Sequence, residues 1–118
     1  MWKDAGVCRS EDSLASALAR LDTLESMPVR VPGKSAYMNR GLMEAIENRN
    51  MLRAARCVIL AARERTESRA AHFRSDYPQT DDPRWHATIR IARLDDNRDG
   101  GVTLTVRPIP RNNTEPEA

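Results

Sequence analysis

No proline interrupts residues 39 to 77, and most of that stretch carries an apolar pattern of helical period. Leu42 and Ile46 share a face. Met51, Ala55, Val58 and Ala62 continue it, and Leu52 and Ile59 widen the stripe. The opposite face carries Glu44, Glu47, Arg53, Arg56 and Arg63. The spacing predicts a long helix over about 40–68. A helix with one apolar stripe has to lay it against another element. A candidate partner lies upstream: Leu14, Leu18, Leu21 and Leu24 form a second stripe, preceded by Ser10 as N-cap and by Glu11 and Asp12, whose charge suits a helix start. This predicts a helix over about 11–27, ended by Pro28, with Pro32-Gly33 marking a linker across 28–38.

Beyond Pro78 the period changes. Ala87, Ile89 and Ile91 alternate with Thr88, Arg90 and Ala92, and Val102, Leu104 and Val106 alternate again. The polar run Asp95 to Gly101 between them reads as a turn, so the pair predicts a β-hairpin. A hairpin alone is marginal in water and has to pack on something. The expected organisation is a helical region over 1–84, extended strands over 85–107, and a proline-rich polar tail over 108–118 that reads as disordered.

At 118 residues there is room for one domain, and a dinucleotide-binding domain plus a substrate domain do not both fit. Neither G-x-G-x-x-G nor G-x-x-x-x-G-K-[ST] occurs. The net charge of +2 exerts no long-range pull on nucleic acid. Arg49, Arg53, Arg56, Arg63, Arg65 and Arg69 are interleaved with Glu44, Glu47, Glu64 and Glu67, and stacking aromatics are scarce, so a nucleic-acid partner is not expected. All but Lys3 and Lys34 of the basic residues are Arg, which suits two-point bonds to carboxylates, although base composition accounts for the bias equally well. Cys8, Cys57, His72 and His86 match no zinc-ligand spacing, and two cysteines make no disulfide framework. No apolar run follows Met1, and no stretch approaches the roughly 18 apolar residues of a membrane span. A cytoplasmic location without direct membrane insertion is therefore expected.

The most specific segment is Arg65-Thr66-Glu67-Ser68-Arg69-Ala70-Ala71-His72-Phe73-Arg74-Ser75-Asp76-Tyr77-Pro78, followed by Asp81-Asp82 and Trp85. It resembles the R-x-E-S-R-G-A-H-x-R-x-D-[FY]-P…D-D-x-x-W stretch in the C-terminal region of succinate dehydrogenase and fumarate reductase flavoprotein subunits. Met1-Trp2 with Gly6-Val7 and Arg9-Ser10, Asn50-Met51, and Val102-Thr103-Leu104 with Arg107-Pro108 extend the resemblance over nearly the whole chain. L-aspartate oxidase and adenylylsulfate reductase are relatives with similar regions. Two positions depart from the pattern. Ala70 stands where the family has Gly. A left-handed backbone there would cost Ala about 1 kcal/mol, whereas in a continuing helix Ala would be the better residue. Thr88 stands where the family has His, and His86 sits beside the Trp instead.

The resemblance implies a mainly α fold, a spectrin-repeat-like helical bundle followed by a hairpin and extended tail. In the family a helix precedes the Met-Trp segment, so one bundle helix is expected to be missing here. The 14/18/21/24 and 51/55/58/62 faces are then expected to be incompletely covered. They would pair with each other, with a second copy, or with a separate flavin-binding chain. The implied partners are a flavin-binding domain or chain and an iron–sulfur subunit, with a location peripheral to the membrane through them. FAD belongs to the parent flavoprotein, and no position here matches its flavin-attaching or catalytic residues. Catalytic, cofactor-binding and metal-binding residues are therefore not expected in this chain.

Arg65, Glu67, Ser68, Arg69, His72, Arg74, Asp76, Tyr77, Asp81, Asp82 and Trp85 are expected to serve as an interface. On a continuing helix, Arg65 and Arg69 share a face, while Glu67 and Arg69, two apart, take different partners. Arg69 with His72 resembles an acid and a carboxylate clamp, but nothing accompanies them. The expected function is a structural and docking role in succinate–fumarate oxidoreduction, with electrons passing from FAD to iron–sulfur centres. The alternative is a free-standing, non-catalytic helical interaction module.

Overall fold

A computed structural model of the chain describes residues 5–33, 35–93 and 101–110. Two helices dominate: α1 (Glu11–Ser26) and α2 (Arg40–Glu64). Ser10 caps α1 in extended conformation, with its side chain accepting from the Ser13 N–H while the Ser13 hydroxyl accepts from the Ser10 N–H. Asn39 caps α2 by accepting from the Leu42 N–H at 3.0 Å, and its amide also ties the linker by donating to the Pro32 and Ser35 carbonyls. Gly41 lets that linker cross the first turn of α2, because a Cβ there would lie 2.8 Å from Pro32 Cδ.

The helices run antiparallel, with Arg63 bonded to Glu11 at one level and Arg56 to Asp22 and Glu25 at another. Their shared core is small: Leu14, Ala17, Leu21, Ile59 and Ala62 are buried, with Leu18, Leu52 and Ala55 packed against them. The helix faces thus pair with each other, but not along the expected line. The packed face of α2 is 52/55/59/62, and Met51 and Val58 point to solvent at 63% and 53% exposure. Both stripes keep helical spacing, and contact with α1 selects the one rotated by one residue, about 100°.

Strand β1 (Cys8–Arg9) pairs in parallel with β2 (Phe73–Arg74), joining the segment before α1 to the segment after α2. A short helix α3 (Asp82–Trp85) leads into β3 (Ala87–Arg93), which pairs antiparallel with β4 (Val102–Pro108) in the register Ala87–Pro108, Ile89–Val106 and Ile91–Leu104. The hairpin therefore begins at Ala87, because α3 takes up Trp85. Pro108 belongs to β4, and the Ile109 N–H bonds the His86 carbonyl at 2.9 Å, so order extends past 107. The expected turn lies mostly in residues 94–100, outside the described residues, as does the tail over 111–118.

The chain is elongated, 73 × 30 × 25 Å, with a radius of gyration of 18.9 Å. A compact domain of this length would have about 13–14 Å. Much apolar surface is correspondingly exposed, including Tyr37, Met38, Val29 and Met27.

Candidate functional site

The long helix stops at Glu64, four residues short of the expected end, although no glycine or proline stands there. Long-range bonds end it. The Arg74 guanidinium, 1% exposed, donates from Nη1 to the Ala62 and Arg63 carbonyls, both at 3.1 Å. These are orphan acceptors of the last turn, and a cation there also suits the helix dipole. The same guanidinium grips Asp76 through Nε and Nη2 at 2.8 and 2.6 Å. Asp76 in turn accepts the Glu11 N–H at 3.0 Å, at the start of α1. One Arg–Asp pair thus clamps the end of α2 to the beginning of α1. The Arg74 bonds, with burial opposing them and the Glu11 N–H assisting, hold the Asp76 carboxyl at about 2. Tyr77 packs beneath the Arg74 guanidinium, 5.1 Å from ring centre to Cζ.

A second knot surrounds Glu67, which is fully buried. Burial pushes its carboxyl up, but bonds from Arg69, the Asp81 N–H and Arg65 prevail and hold it at about 2. Arg69 donates from Nε at 3.0 Å and from Nη2 at 3.2 Å, and its other partner is Asp82. Arg65 also donates to the Trp85 and Ala87 carbonyls and lies over the Trp85 ring, tying the knot to the hairpin. The indole N–H bonds the Thr66 hydroxyl at 3.1 Å. Direct contact between Glu67 and Arg69 corrects the expectation of separate partners. The i,i+2 rule holds along a helix, and these residues lie beyond its end. Arg65 and Arg69 likewise share an anion, not a helix face.

Ser68 holds the loop together, donating to the Tyr77 and Arg74 carbonyls and accepting the Arg74 N–H at 2.8 Å. Arg69 and His72 exchange both backbone bonds across a turn in which Ala70 has φ 50°. A turn with positive φ at its first central position favours glycine, so Ala70 carries strain of about 1 kcal/mol. His72 accepts from Arg9 Nη1 at Nδ1, 2.7 Å away, and its Nε2–H faces the Arg65 carbonyl at 3.3 Å. Burial lowers its pKa. The Arg65 carbonyl opposes this, and the charges of Arg9, Arg74 and Arg65 reinforce it.

All eleven expected site residues therefore fall in one region. Sequence spacing did not indicate Arg9 or Glu11, which join from the N-terminal side; only the Arg9-Ser10 part of the family pattern pointed there. The network is not a catalytic arrangement. Both His72 nitrogens are occupied and Arg69 is held by two carboxylates, so neither is available as acid or clamp. Arg56, Arg63, Arg65 and Arg69 are likewise bonded to carboxylates, which removes most of an arginine stripe. The chain offers no fit to a flavin dinucleotide: a Cβ at Gly33 or Gly41 would meet the chain's own atoms, and both long-helix N-termini are filled by Ser10 and Asn39. Among the described residues, both cysteines are free thiols, no cluster has the makings of a metal site, and no helix is long and apolar enough to cross a membrane.

An elongated helix pair with an internally neutralised loop at one end is a supporting domain, built to present a rigid surface. The chain belongs to the family described as fumarate reductase flavoprotein C-term, whose sequence model matches residues 1–118. It is 40% identical over 95 residues to a fumarate reductase (CoM/CoB) of Methanothermobacter marburgensis, covering 79% of this chain and 17% of that protein. It is 33% identical over 108 residues to L-aspartate oxidase of Streptomyces coelicolor, covering 92% of this chain and 18% of that protein. Among solved structures it resembles the FrdA chain of a mutated E. coli quinol fumarate reductase, with TM-score 0.80 and 25% identity over 96% of this chain and 20% of that one. The chain spans less than a fifth of the length of these two curated relatives.

Proposed function

We propose that these residues are the rigid C-terminal support of an FAD-dependent succinate–fumarate oxidoreductase, with flavin and dicarboxylate held outside them. The carrying observation is the loop over 65–85. Its anchors Glu67 and Arg74 are buried, while Phe73, Tyr77, Arg69 and Asp82 stay at its surface. Two buried charge clusters fix an irregular segment that has little regular structure of its own. That rigidity suits docking onto a flavin-binding domain and beside an iron–sulfur subunit, which receives electrons from FAD. The assembly is peripheral to the membrane on its cytoplasmic side.

The residues proposed to carry docking are Arg65, Glu67, Ser68, Arg69, His72, Arg74, Asp76, Tyr77, Asp81, Asp82 and Trp85. The buried ones hold the shape and the exposed ones touch the partner. Co-purification with a flavin-binding polypeptide and its iron–sulfur subunit from the same source is the test. Retention by the native chain, and its loss in a Tyr77→Glu/Asp82→Lys variant that keeps its helicity, is expected. Equal retention by both would count against this surface.

A further inference from the structure

The far end of the helix pair holds a groove of about 520 Å³. Leu24, Met27, Leu42, Ile46 and Leu52 are among the residues that form its apolar lining, and Val102 of the hairpin closes one side. Leu24 and Ile46 are 48% and 40% exposed, so the apolar lining is open to solvent. Three arginines reach it. Arg56 is consumed by Asp22 and Glu25. Arg49 and Arg53, both exposed, find no carboxylate partner among the described residues. The groove thus has an apolar floor and two unspent positive charges.

Their placement selects the occupant. The lining runs along α2 from Leu42 to Cys57, about 22 Å of helix axis at 1.5 Å per residue. Arg49 and Arg53 sit in the middle of that length, about 6 Å apart along the axis. An amphiphile with a single anionic head would want its cation at one end. Charges midway between apolar ends match a helix with apolar residues at both ends and two carboxylates one turn apart. The undescribed segments, 1–4, 34, 94–100 and 111–118, are each too short to supply four helical turns.

We propose that this groove docks an acidic amphipathic helix of a separate partner protein. The inference extends the docking role proposed above to a second surface. It shares no residue with the loop over 65–85, so either can fail without the other.

The test uses the full chain and two fluorescein-labelled 15-residue peptides. One has leucines at i, i+3/i+4 spacing and a central Glu pair at i,i+4; its twin carries Lys at the Glu positions. The Glu peptide is expected to raise fluorescence anisotropy saturably. The Lys twin should bind roughly tenfold more weakly or less. Arg49→Glu/Arg53→Glu, both on an exposed helix face, should invert that preference with helicity unchanged. Ile46→Asp should abolish binding of both peptides. Equal binding of the two peptides, or none, would overturn the proposal. So would full displacement by dodecanoate, light-scattering dimerisation that the double variant abolishes, or loss of peptide binding once the chain is assembled with its flavin-binding polypeptide. These outcomes assign the groove to an amphiphile, a second copy, or a segment of that assembly respectively.

Discussion

At one end of the helix pair, Glu67 and Arg74 are buried charges whose partners converge on them from four stretches of chain. At the other end, Leu24, Met27 and Ile46 are ordinary core residues left half in water. The distribution inverts the usual rule, in which charge is exposed and apolar area buried. Buried ion pairs add little net stability against a well-packed apolar core, but removing one member is costly. The charged end is therefore fixed in shape. The apolar end keeps its hydrophobic surface for association.

Arg74→Met should break this contrast most. It strands Asp76 and uncaps the end of α2, and a loss of about 3–5 kcal/mol is expected by urea unfolding. A loss below about 1 kcal/mol would mean that the clamp does not hold the helices together. Within the apolar layer, Leu21→Ala at the buried level should cost about 2–5 kcal/mol. Leu24→Ala, one turn on in the open groove, should stay below about 1 kcal/mol. Similar costs at both positions would show that the groove is closed in solution.

Acid should unravel the charged end first. Glu67 and Asp76 have folded values of about 2 against ordinary values of 4.5 and 3.8. Their stabilisation is complete above the ordinary values and is lost as pH falls toward 2. His72 adds an earlier, smaller loss. Its folded pKa lies below 6.5, so the unfolded chain takes the proton first and stability drops as pH falls below 6.5. Amide exchange across the β1–β2 pairing, followed from pH 7 to 3, should show that segment opening before the centre of α2. Simultaneous opening would dissolve the distinction between the ends. The smallest effect is a gain: Ala70→Gly relieves the left-handed backbone and should raise stability by about 1 kcal/mol in the same urea assay.

Much of this was legible in residue order. Ser10 as cap, the leucines of α1, the long stripe of α2 and the alternation of β3 and β4 all read directly, because each rests on neighbours within a turn or a pleat. The motif also named the region where the network forms. The pairing inside that region was not legible. Arg74 reaches back twelve residues to Ala62, and Arg9 crosses sixty-three to His72; no local periodicity encodes such partners.

Sequence alone determined the elements, their caps and the family, since periodicity, turn chemistry and a dense motif are local signals. Tertiary structure alone decided where α2 stops, which of two overlapping stripes it buries, and that Glu67 and Arg69 meet. Those outcomes depend on carbonyls and carboxylates brought together only once the chain has folded back. A buried charge is stable only where its partner already stands.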